Sequence, residues 1–98
     1  MDEGIRTLFR TRDDAVHSRD EELFLSTQLS GTSFGSPDGY FSINEMTSEI
    51  LGVHEESADE CVVFVRETYR PTGKRPRSSF LIYFLASTRA GWKVYRVR

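Results

Sequence analysis

Residues 61–98, CVVFVRETYRPTGKRPRSSFLIYFLASTRAGWKVYRVR, decide the fold. They divide into three strands, 61–70, 78–88 and 91–98, joined by two connections. PTGKRPR at 71–77 combines Pro, Gly and basic residues, the composition of an exposed hairpin tip. RAG at 89–91 places Gly last, which suits a type I turn closed by a glycine bulge. Each strand is apolar on both faces, whereas a half-exposed antiparallel sheet alternates apolar with polar residues. Something must cover each side: the chain's own N-terminal helices on one, a second subunit or a pocket on the other.

With Arg70 paired near Ser78, the two faces separate. One gathers Val62, Phe64, Arg66, Phe80, Ile82, Phe84 and Ala86, and the glycine bulge adds Trp92 and Val94. The other gathers Cys61, Val63, Val65, Glu67, Tyr69, Leu81, Tyr83, Leu85, Tyr95 and Val97. A two-residue connection would instead turn the last strand over, because a one-residue slip exchanges the faces. The first face is plainly apolar. The second mixes aliphatics with tyrosine hydroxyls and one carboxylate.

Upstream, residues 3–17 follow helical spacing through Ile5, Leu8, Phe9, Arg12 and Val16, with Ala15 beside them. Asp2 is placed to cap this helix. HSRD at 17–20 is a break, and Asp20 can cap a second helix, EELFLSTQ, that turns Leu23, Phe24 and Leu29 toward the sheet. Residues 30–42, SGTSFGSPDGYFS, form a loop with PDG as its turn signal. A short strand at Tyr40–Phe41 fits within it. Ser42 and Glu45 then stand in capping-box spacing. This favours a turn of helix followed by a strand from about 48 to 56, with strand throughout 43–56 as the other reading.

A chain of 98 residues makes one domain with a real core but little surface for a second module. No stretch is long and apolar enough to span a membrane, and the charged start MDEGIRTLFRTRDD lacks the apolar run of a secretory signal. The expected compartment is the cytoplasm. Cys61 stands alone, which agrees with reducing surroundings. One Cys and two His do not make a zinc site, and no glycine-rich phosphate loop is present. No metal, nucleotide or redox cofactor is expected.

Charge is distributed unevenly. Residues 1–60 hold four Arg against fourteen Asp and Glu, a formal −10; residues 61–98 hold nine Lys and Arg against Glu67 alone, a formal +8. In so small a domain the acidic helices and the basic sheet attract each other within one fold. The sharper reading is an electrostatically steered partner or a bound anion, with Lys74, Arg75 and Arg77 at the hairpin tip as its basic cluster; a solvated tip is the plainer meaning. Nucleic acid is not expected, because no recognition motif accompanies the basic residues.

Two N-terminal helices, a loop and long antiparallel strands, with HSRDEELF at 17–24, VVFVRETYRPTGK at 62–74 and GWKVYRV at 91–97, resemble the nuclear-transport-factor-two-like superfamily. That family has the cystatin-like α+β fold and includes ketosteroid-isomerase-like and SnoaL-like members. The resemblance covers nearly the whole chain. It implies one domain over 1–98, with N-terminal helices packed on a curved antiparallel sheet that forms a cone. It also implies a pocket at the cone's mouth and a homodimer formed through the outer sheet face. Phe80, Ile82, Tyr83 and Phe84 are the interface candidates. The family contains enzymes, scaffolds and members without chemistry, so fold alone does not set function.

Isomerase-like members use a carboxylate as a proton shuttle opposed by a tyrosine or a protonated acid. Glu67 is the one acid of the three-strand region, and Tyr69 and Tyr83 share its face. These three, with Tyr40 at a pocket mouth, are the candidate ligand-binding residues, for a small apolar ligand. Glu67 could instead pair with an arginine at a sheet edge or interface, and Tyr40 could simply anchor its loop. His17 suits a helix C-terminus, His54 an exposed strand position and Asp38 a turn. Cys61, beside Val62 and Val63, reads as an inert buried thiol. The first reading is a dimeric binding or accessory module. The alternatives are an isomerase, dehydratase or cyclase that uses Glu67, and electrostatic partner recognition through the basic hairpin.

Overall fold

The computed structural model describes residues 2–29, 45–70 and 73–98. The expected Tyr40–Phe41 strand, the Asp38 turn and the Ser42 cap lie outside these residues, as does Tyr40 as a site candidate.

Helix α1, Glu3–Ser18, begins where the Asp2 carboxylate accepts the Gly4 N–H at 2.6 Å. Its buried side, Ile5, Leu8, Phe9, Arg12, Ala15 and Val16, is the set that the helical spacing selected. Arg19 ends it in the left-handed region at φ 54°, the only non-glycine there among the described residues. The Arg19 N–H donates to Val16 O at 3.3 Å and that of Asp20 to Ala15 O at 2.9 Å, the two bonds of a Schellman ending. Asp20 then caps α2, Glu21–Leu25, by accepting from Leu23 N at 3.0 Å.

Helix α2 is shorter than the expected EELFLSTQ. The hydroxyls of Ser26 and Thr27 donate back to Leu23 O and Phe24 O, both at 2.6 Å. Such local bonds compete with helix continuation. The chain then runs beside the last strand, with Val94 N donating to Thr27 O at 2.8 Å and Leu29 N to Val94 O at 2.9 Å. This segment covers a sheet edge that would otherwise present unpaired backbone groups.

The sheet comprises β1 (Glu45–Glu55), β2 (Glu60–Arg70), β3 (Arg77–Thr88) and β4 (Gly91–Val97) as an antiparallel meander in that order. Strand β1 starts at Glu45, where a helical turn was favoured. Cross-strand pairing explains this: Glu45 stands opposite Arg70, and Met46 packs opposite Tyr69 with 4% exposure. Bulges at Leu51 in β1 and Tyr95 in β4 interrupt the ladder; extra residues of this kind bend their strands.

The last hairpin corrects one expectation. Gly91 takes the positive φ of 100° that its turn requires, but Thr88 pairs with Gly91 itself, which leaves a two-residue connection. Trp92 and Val94 therefore lie with Tyr83 and Leu85 on the covered face. The Tyr95 bulge then restores Val97 to that face and sends Tyr95 to the open side, 6.2 Å from Phe84. On the covered side Trp92 packs so closely over Gly4 that an added Cβ there would lie 3.2 Å from the indole.

The core has two apolar clusters under α1. The larger joins Ile5, Leu8 and Phe9 to Cys61, Val63, Val65, Tyr83, Leu85 and Val94; the smaller joins Ala15, Val16, Phe24 and Met46. Buried polar residues Arg12, Thr27, Gln28 and Glu67 accompany them. Among the described residues no helix is long and apolar enough to cross a membrane.

Candidate functional site

Glu67 lies on the covered face because it continues the alternation of Cys61, Val63 and Val65 along β2. It is fully buried. Burying a carboxylate costs several kcal/mol unless its oxygens are hydrogen-bonded (about 1.5–3 kcal/mol per charged bond), and here each oxygen has a phenol. Tyr69 Oη donates to Oε1 at 2.6 Å, and Tyr83 Oη donates to Oε2. Tyr83 is held in turn by Phe9, whose ring meets it edge-on at 4.9 Å and 84°. The three residues that share a face in the sequence thus form one cluster, two of them buried and Tyr69 partly so.

The guanidinium of Arg12 enters this cluster from α1. It lies 4.5 Å from the Phe24 ring centre and 5.3 Å from that of Tyr83. Its Nη1 donates to Thr27 Oγ1 at 2.8 Å and Gln28 Oε1 at 3.3 Å, while its Nε has no partner. Among the described residues Glu67 makes no ion pair with an arginine. Tyr83 touches both groups, with Arg12 over its ring and Glu67 at its hydroxyl.

The sequence reading did not single out Asp13. It sits four residues beyond Phe9 at the margin of the buried side of α1, and that spacing was the available signal. Its Oδ2 accepts from Ser48 N at 2.9 Å and its Oδ1 from Ser48 Oγ at 2.7 Å. Ser48 pairs across the ladder with Glu67, so the two carboxylates approach each other over it. Burial pushes the Asp13 carboxyl up to about 6; the Ser48 bonds oppose this, and the charges of Glu67 and Asp14 add to it.

Four clefts surround this arrangement. One of about 320 Å³ opens between α1 and β1 and is lined by Arg6, Phe9, Arg10, Asp13, Ser48 and Ile50. A second of about 320 Å³ continues past Arg10 and Asp13 to His17, Glu45, Met46 and Thr47. A third of about 270 Å³ lies between α1, Ser26–Thr27 and the turn before Trp92. The smallest, about 160 Å³, includes Cys61, whose thiol burial pushes up to about 11. That keeps it protonated and a poor nucleophile. Glu67 lines none of the four. Among the described residues no three His, Cys, Asp or Glu side chains gather as metal ligands.

The interface candidates divide. Phe80, Ile82 and Phe84 lie on the open face, with Phe80 71% exposed and Phe64 beside them at 43%. Tyr83 is on the covered face, completely buried beneath α1, because β3 alternates about it; it cannot serve an outer-face interface. Lys74, Arg75 and Arg77 are exposed around the β2–β3 connection.

No protein-family model matches the chain, and no curated protein matches it. Solved structures do. A nuclear-transport-factor-two-like protein of unknown function from Shewanella oneidensis superposes with a TM-score of 0.82 at 11% identity, covering 97% of this chain and 94% of that one. A domain of unknown function with a cystatin-like fold from Nostoc punctiforme gives 0.71 at 15% identity, covering 97% and 73%. A ketosteroid isomerase-like protein from Erwinia carotovora gives 0.65 at 20% identity, covering 95% and 89%. The chain therefore has the nuclear-transport-factor-two-like, cystatin-like α+β fold; identities this low establish the fold alone.

Proposed function

On this fold, we propose that the chain acts as a small binding module that pairs with a second copy through its open sheet face and carries a ligand on its helix side. The observation that carries the reading is the sequestration of Glu67. A general base must reach the proton it abstracts, yet both oxygens of Glu67 are engaged by tyrosine hydroxyls beneath α1, and it lines none of the four clefts among the described residues. This arrangement supports a structural role for the Glu67 carboxyl.

The open face supports pairing with a second copy. Phe64, Phe80, Ile82 and Phe84 make an apolar surface of the kind that marks interaction sites. Charge on that face is paired within the chain, Glu45 with Arg70 and Glu49 with Arg66, so the phenylalanines and Ile82 are what a two-fold axis would bring together in an isologous interface.

Light scattering of the wild type and Phe80→Glu tests the pairing: the wild type is expected at dimer mass and the variant at monomer mass. A monomeric wild type would remove it. The non-catalytic assignment is tested by NMR, following deuterium exchange at the α-carbon of enolisable ketones. Wild type and Glu67→Gln are both expected to match buffer. Exchange that depends on Glu67 would establish the isomerase alternative that the ketosteroid isomerase-like neighbour brings to mind.

A further inference from the structure

Arg6 and Arg10 occupy positions that the helix itself disfavours. They lie four residues apart on one side of α1, where like charges repel, and Arg6 stands near the N-terminal end, where the helix dipole opposes a cation. Glu3, Asp13 and Asp14 are at helical pairing distance from them in sequence, yet no ion pair forms between these groups among the described residues. Asp13 is turned to β1 by its two bonds from Ser48, so it does not neutralise Arg10. Both arginines instead line the cleft of about 320 Å³ between α1 and β1, with Phe9 and Ile50 as its apolar part. That volume is at the lower end of small-molecule sites, about 300–1,000 Å³.

We propose that this cleft binds a small organic carboxylate, its anionic head held by Arg6 and Arg10 and its apolar body laid against Phe9 and Ile50. A guanidinium matches a carboxylate in planar, two-point geometry, and two of them at the mouth of a part-apolar cleft select a molecule with one charged end. Asp13 sets a negative charge against such a ligand. Its raised carboxyl, at about 6, weakens that opposition in mildly acid solution. The assignment rests on the binding-module reading for the helix side and does not depend on the dimer.

The test is an NMR titration of the full chain with phenylacetate, its uncharged analogue phenylacetamide, and acetate, which lacks the apolar body. Phenylacetate is expected to give saturable shifts at Phe9, Ile50 and both arginine side chains, and to bind at least about tenfold more tightly than either comparison compound. Arg6→Gln/Arg10→Gln, both exposed sites, is expected to lose that margin with an unfolding midpoint no lower than that of the wild type. Arg10→Gln alone serves if the double variant folds poorly. Equal binding of phenylacetamide, or undiminished binding in the variants, overturns the proposal, as does the absence of saturable shifts. A dimeric, catalytically silent protein that ignores phenylacetate would sink the cleft assignment while leaving the module reading intact. Turnover dependent on Glu67 would do the reverse.

Discussion

The two faces of one sheet reverse the usual placement of side chains. The covered face buries a carboxylate, Glu67, without exposure, while the open face leaves Phe80 71% exposed and Phe64 43% exposed. Both come from the same strands, so local propensity does not distinguish them. The covered face can hold a carboxyl because each of its oxygens accepts from a phenol on its own strands and α1 packs over it. The open face keeps its phenylalanines in solvent because no described element lies over them. Burial in this molecule follows from what stands opposite a residue, and residue type alone does not set it.

Truncating an aromatic on each side should expose the contrast most strongly. Phe9→Ala removes the ring that packs on Tyr83 in the core and is expected to cost about 3–5 kcal/mol. Phe80→Ala, measured by chemical denaturation at concentrations where monomer dominates, is expected to fall within about 0.5 kcal/mol of wild type. A Phe80→Ala cost as large as that of Phe9→Ala would mean that the open face is packed within the folded unit, and the comparison would fail.

A smaller effect sharpens the account of the buried charge. Tyr83→Phe leaves one oxygen of Glu67 without its donor and is expected to cost about 1–3 kcal/mol in urea unfolding. Tyr69→Phe should cost less, because Tyr69 is partly exposed and water can replace its hydroxyl. Equal costs, or a neutral Tyr83→Phe, would show that hydrogen bonding does not decide where Glu67 sits.

A pH-dependent effect lies at the margin between the faces. The Asp13 carboxyl sits at about 6 in the folded chain against an ordinary 3.8, so between those values the folded state holds the proton more tightly than the unfolded state. Its contribution to stability is full below 3.8 and is lost as pH rises through about 6. Asp13→Asn keeps an acceptor for Ser48 and cannot ionise. Its stability relative to wild type should therefore be flat below about 3.8, climb between 3.8 and about 6, and level off above that, read from paired thermal unfolding curves. A pH-independent difference would show that Asp13 titrates normally.

Much of the fold was legible in the chain. The α1 side that meets the sheet followed from 3.6-residue spacing, and the three strands of 61–98 from their bounding turns. The grouping of Glu67, Tyr69 and Tyr83 followed from two-residue alternation, which carries across a ladder once one pair is fixed. Where the reading failed, the competing forces were non-local or a matter of single residues. The β1 start at Glu45 depends on Arg70 and Tyr69 opposite. The end of α2 depends on two hydroxyls and the edge of β4. The side taken by Trp92 turned on one residue of register at Gly91, a difference that both connection types allow.

The sequence by itself determined the elements, their order and which residues could share a face, because periodicity is a property of the local backbone. Tertiary structure alone decided which face α1 covers, that Tyr83 is core and not interface, and that Asp13 rather than Glu67 borders the clefts among the described residues. Those outcomes depend on which groups from distant positions exclude water or supply a hydrogen bond, and no stretch of the chain carries that information alone.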